Sequence, residues 1–74
     1  MTSDTAMKTE DIELQLFLEA VYQRYHYDFR GYSKASIKRR LLLARDRIGC
    51  TTFSALQERL LHDNSVLPQL LDYL

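Results

Sequence analysis

Tyr27-Asp28-Phe29-Arg30-Gly31-Tyr32-Ser33-Lys34-Ala35-Ser36-Ile37-Lys38-Arg39-Arg40-Leu41 is a compact aromatic turn that opens into a strongly basic helix. Gly31 can adopt a tight or left-handed conformation that a side chain would resist, and Ser33 is a good N-cap. Beyond the cap, Ile37, Leu41, Ala44 and Ile48 recur at helical spacing and form one apolar stripe over about 34–48. At about 100° per residue, Lys34, Lys38 and Arg45 lie along one flank of that stripe. Arg40 and Arg47 lie along the other flank, and Arg39 points outward near Asp46. Leu42 and Leu43 fall away from the stripe. They either reach a second packing surface or mark a contact with something outside the chain. Gly49 stands where a helix C-terminus favours glycine.

Working outward, residues 1–9 are polar and unpatterned, and read as a flexible leader. A first helix is expected over about 10–25, with Thr9 as N-cap and Glu10, Asp11 and Glu13 complementing the helix dipole. Its face carries Leu14, Phe17, Ala20, Val21 and Tyr25. Tyr25, Tyr27, Phe29 and Tyr32 crowd the connector to the basic helix, and several of these rings must be buried to pin it to the core. On the C-terminal side, Thr51 or Thr52 caps a third helix over about 52–62, with Phe53, Leu56, Leu60 and Leu61 on its face. Ser65 caps a last helix through Leu74, with Pro68 tolerated in its first turn. Leu67, Leu70, Leu71 and Leu74 face inward. No sustained alternation signals a strand, so the fold class is all-α, a small bundle of about four helices.

Charge is unevenly spread along a chain whose formal net charge is zero. Between Arg30 and Arg47, seven bases oppose the single acid Asp46 and leave a net +6. Residues 1–29 sum to −4 and residues 48–74 to −2. Such a polarised domain favours charged partners. The basic helix has three possible roles: a solvated face, a nucleic-acid reader resembling the second helix of a helix-turn-helix, or a dock for an acidic helical surface. A near-neutral pI of about 6.7 weighs against nucleic acid.

Other chemistry finds little to stand on. Seventy-four residues, 46% of them hydrophobic, make one small core. Cys50 is alone, so no internal disulfide forms and a reducing compartment suits the chain. His26 and His62 are far apart and no metal-ligand spacing occurs. Gly31 and Gly49 cannot build a phosphate loop. Glu10, Asp11, Glu13 and Glu19 read as the solvated face of the first helix. No apolar run approaches the roughly 20 residues that span a bilayer, and the acidic, polar N-terminus reads unlike a secretory signal; the cytoplasm is the expected compartment. The chain stops at Leu74 in mid-pattern, as a domain cut from a longer protein would.

Residues of about 14–74 resemble the N-terminal helical domain of CheR-type chemotaxis methyltransferases. The resemblance rests on Val21-Tyr22, on Tyr27-Asp28-Phe29 with Gly31-Tyr32-Ser33, and on Lys38-Arg39-Arg40-Leu41. It continues through Ile48-Gly49, Thr52-Phe53 and Leu70-Leu71-Asp72-Tyr73-Leu74. Order and spacing hold across nearly the whole chain, though no motif in it is catalytic.

The resemblance implies a recognition domain at residues 10–74, belonging to an enzyme that methylates glutamates on the cytoplasmic helices of bacterial chemoreceptors. The cofactor, S-adenosylmethionine, would be held by a following α/β domain, so this segment alone is not catalytic. The basic helix would face the receptor, with Arg40 the best match to a recurrent family arginine, then Arg39 and Lys38. The partner-binding set is therefore Lys34, Lys38, Arg39, Arg40, Arg45 and Arg47. Where relatives often carry further arginines this chain has Leu43, Ala44 and Asp46, and its Arg45 and Arg47 sit one position along. The docking surface is accordingly expected to be differently aimed. The competing reading is a small helix-turn-helix-like DNA-binding domain; a purely structural interaction domain using Leu42 and Leu43 is the third.

Overall fold

The computed structural model of the chain describes residues 8–29 and 31–74. The leader expected at 1–9 therefore falls, through residue 7, outside the described residues, as does Arg30. Four helices follow in order: α1 (Thr9–Tyr25), α2 (Lys34–Ile48), α3 (Phe53–His62) and α4 (Val66–Leu71). No strand occurs among the described residues, and the architecture is the expected all-α bundle.

The ends of α2 form as the residue types dictate. Ser33 Oγ accepts from the Ser36 amide at 3.2 Å, and Gly49 closes the helix at φ 97° while its amide donates to the Arg45 and Asp46 carbonyls. Of the two threonines that could cap α3, Thr52 does so, accepting from the Ala55 amide at 3.0 Å. The helix proper accordingly starts at Phe53.

Three other ends differ from expectation. Thr9 is already helical; the extended residue before α1 is Lys8, whose carbonyl takes the Asp11 and Ile12 amides and whose side chain caps nothing. Ser65 is no side-chain cap, because its hydroxyl donates to Asp63 Oδ1 at 2.7 Å and its amide to the same oxygen at 2.9 Å. Asp63 organises this turn instead, and the Ser65 hydroxyl and amide together hold its carboxyl below the ordinary carboxylate range. Helix α4 stops at Leu71 rather than Leu74, since the last amides bond three residues back, Tyr73 to Leu70 and Leu74 to Leu71, as tightened terminal turns do.

α1 packs chiefly on α3, and α2 rests on α4 and α3. Phe17 and Phe53, both fully buried, meet at 6.1 Å between ring centroids and form the middle of the core. Leu14 and Val21 extend it along α1, Ile37, Leu41 and Ala44 along α2, and Leu56, Leu60, Val66 and Leu70 along α3 and α4. Ile48, Leu42, Leu67, Leu71 and Leu74 pack around its edge. Leu61, expected on the inner face of α3, is exposed: it lies one position beyond Leu60, about 100° around the helix.

The aromatic connector is pinned by fewer rings than expected. Phe29 is buried and Tyr25 half-buried, its hydroxyl donating to the Leu60 carbonyl at 3.3 Å. Tyr27 and Tyr32 stay exposed, stacking on and edging against Phe29. A Cβ at Gly31 would meet nothing within 4 Å, so space does not demand glycine there. The left-handed residue that turns the chain out of α1 is His26, at φ 64°.

A candidate docking surface on the second helix

The six cations expected to dock a partner are divided between two faces of α2. Lys34, Lys38 and Arg45 share the flank turned toward α1, as their spacing predicts. Lys38 Nζ lies 2.7 Å from Asp11 Oδ1 and 3.4 Å from Glu10 Oε1, and Arg45 Nη1 lies 3.3 Å from Glu10 Oε2. The first-turn acids of α1, read from sequence as a solvated face, thus cross-link α1 to α2. Few backbone positions of the two helices come close. Long charged side chains span the gap.

Arg45 has further partners. Its guanidinium bonds Asp46 Oδ1 at 3.1 Å and sits 5.4 Å from the Phe53 ring centroid, with only 16% of the side chain exposed. The Asp46 carboxylate is therefore engaged by Arg45, where sequence placed it near Arg39. The Lys38 bond holds the Asp11 carboxyl below its usual range, and the same bond raises the Lys38 ammonium above its own. Lys34 is exposed at the start of the helix, close enough to add to the field that lowers Asp11.

Arg39, Arg40 and Arg47 are exposed on the far face, and none forms an ion pair among the described residues. Arg40 Nε reaches only its own helix, at Ser36 Oγ 3.5 Å away. Leu43 lies between them, four residues from Arg39 and four from Arg47, and 47% exposed. Leu42, its neighbour, packs against the core instead. The face offers three guanidinium forks around one uncovered leucine. Such a surface can bind carboxylates or phosphates. Among the described residues, Arg39, Arg40, Leu43 and Arg47 bring no nucleophile or general base to this face.

A groove of about 380 Å³ on the other side of α1 runs between Gln15, Leu18, Glu19 and Tyr22 on the helix and Tyr27, Asp28 and Phe29 on the connector. Its carboxylates and rings include no activated nucleophile; Glu19 accepts from Gln23 at 2.7 Å. Cys50 is buried with the Arg59 guanidinium 3.9 Å from its sulfur, and that same guanidinium caps the Ile48 carbonyl at 2.9 Å. Among the described residues, no three His, Cys, Asp or Glu side chains converge to hold a metal ion. No helix of the described residues is long and apolar enough to cross a membrane.

The docking flank owed to α1 could have been anticipated from one signal: a net −4 segment preceding a net +6 segment in a chain of zero charge. Comparison with known proteins completes the picture. The family model for the CheR methyltransferase all-alpha domain matches residues 12–74. A candidate methyltransferase of Pseudomonas putida, Cher3, is 56% identical over 70 residues, covering 95% of this chain and 26% of the relative. The chain thus spans about a quarter of the length of that relative. No solved structure matches it.

Proposed function

The chain belongs to the CheR methyltransferase all-alpha domain family, and from that premise we propose that it is the substrate-recognition domain of a protein-glutamate O-methyltransferase. The observation that carries this reading is the arginine face of α2. Lys38 and Arg45 are committed to α1, whereas Arg39, Arg40 and Arg47 are exposed and meet no acid among the described residues. An acidic helical surface, such as the methylation helices of a chemoreceptor or a related signalling receptor, supplies the matching carboxylates. Each exposed pair adds roughly 0.2–1 kcal/mol, so three give orientation and fast encounter more than tight binding. That suits an enzyme which must leave one glutamate to reach the next.

Methyl transfer itself belongs to the rest of the protein. S-adenosylmethionine is the donor that the family implies, and the described residues do not fit it: Gly31 and Gly49 stand at opposite ends of α2, and the groove beside Tyr22 is open and lined by acids. The methyltransferase domain is accordingly the second partner of this one, and the cytoplasm its place of work.

The test is titration of the protein with a helical receptor fragment carrying the methylation glutamates, with duplex DNA as control. Combined Arg39→Glu and Arg40→Glu substitution is expected to weaken fragment binding about tenfold, as two exposed pairs turn repulsive. The circular dichroism spectrum should stay unchanged, because both side chains are exposed. Undiminished binding by the double variant, or a preference for DNA with a steep salt dependence between about 50 and 200 mM, overturns the reading.

A further inference from the structure

We infer that Leu43 is the apolar anchor of this surface, and that its partner is an amphipathic helix presenting an apolar side chain flanked by acids one turn away on either side. The inference rests on the docking role proposed above and specifies the partner's chemistry.

A purely electrostatic dock would need only cations, and a leucine in its middle would remain wet. Leu43 is 47% exposed, while the adjacent Leu42 is drawn into the core, so the exposure of Leu43 is not a general feature of this stretch. Its position is central. Arg39 and Arg47 sit four residues before and after it, about 6 Å along the axis in each direction, and displaced by about 40° to either side. Arg40, three residues before, lies on the same face as Arg47. Arginine stems are apolar, so those of Arg39, Arg40 and Arg47 can add to the apolar surface that a partner meets at Leu43. The geometry therefore repeats on one helix the arrangement of an interface core with a polar rim.

The complementary surface follows from the same dimensions. Carboxylates must lie about 6 Å to either side of an apolar contact, which a helix supplies with acids three or four residues before and after an apolar residue. An extended chain also brings every second residue to one face, about 6.6 Å apart, so the helical form of the partner follows from the docking role proposed above and not from the spacing. Charge complementarity thus selects acids, and Leu43 selects an apolar side chain between them.

The experiment is a double-mutant cycle on the purified full-length protein. Two helical peptides of equal charge are titrated: one with leucine between its flanking glutamates, the other with glutamine in that place. Leu43→Gln keeps a residue of nearly equal helix propensity at an exposed site, and Leu43→Ala serves as a second variant with the same reading. Covering half a leucine side chain corresponds to about fivefold in affinity. The expected result is a fivefold loss with the leucine peptide and no loss with the glutamine peptide.

Equal binding of the leucine peptide by wild type and both Leu43 variants, with weakened binding by the Arg39→Glu and Arg40→Glu double variant, overturns the inference and leaves the docking role standing. Binding that is insensitive both to the Leu43 variants and to the Arg39→Glu and Arg40→Glu double variant overturns the two together. A lowered melting temperature for the Leu43 variants in the peptide-free full-length protein would show that the protein itself covers Leu43, and also overturns the inference.

Discussion

Asp11 and Lys38 show how one contact gives a charged side chain a structural duty. The bond between them depresses the Asp11 pKa and raises that of Lys38. A depressed carboxyl means that the unfolded chain binds more protons than the folded one over the acidic range, so stability rises with pH there. The Asp11 contribution is fully present above its unfolded value near about 4 and is lost as pH falls through its lower folded value. Lys38 has the opposite sense: its contribution is complete below about 10.4 and disappears as pH climbs through the raised folded value. Urea midpoints at pH 7 and pH 3 are expected to differ less for Asp11→Asn than for wild type; the same acid loss in both would show that the pair adds nothing. The residue types at these positions were plain in the sequence, but their pairing was not. Nothing local distinguishes Lys38, which bonds Asp11, from Arg39 beside it, which bonds no acid among the described residues.

At the scale of the helices, local chemistry was read well at some ends and poorly at others, for one reason. Ser33, Gly49 and Thr52 satisfy backbone groups within three or four residues, and such short-range bonds follow from sequence spacing. Ser65 had an alternative acceptor two residues back, and the hydroxyl went to Asp63 rather than to the helix. Thr52→Ala is therefore expected to cost about 1 kcal/mol, lowering the melting temperature by about 4–8 °C in a domain of this size. Ser65→Ala should cost clearly less, because the Ser65 amide keeps its bond to Asp63. Thermal melts followed by far-UV circular dichroism compare the two, and an equal loss would show that the hydroxyl, not the amide, holds the turn before α4. The inner faces of α1 and α2 were likewise legible from spacing alone. The fate of Leu42 and Leu43 was not, because both lie off the stripe and only the placement of neighbouring helices decides which is covered.

For the whole molecule, a single layer of buried rings and leucines must hold four short helices together. A domain of 74 residues has roughly 4–11 kcal/mol of stability, and truncating a buried phenylalanine costs about 3–5 kcal/mol. Phe53→Ala removes a ring that meets both Phe17 and the Arg45 guanidinium, so it is expected to lower the urea midpoint by half or more; a small shift would mean the core can close around the loss. The sequence by itself determined the helical class, the helix order, most of the caps and the family, since each depends on residue types at short, regular separations. Tertiary structure alone decided which cations of α2 pair with an acid and which stay exposed without one among the described residues. Lys38 and Arg45 find their carboxylates 27 and 35 residues away, and the availability of a charge depends on what lies within a few ångströms of it, a distance that folding sets and chain spacing does not.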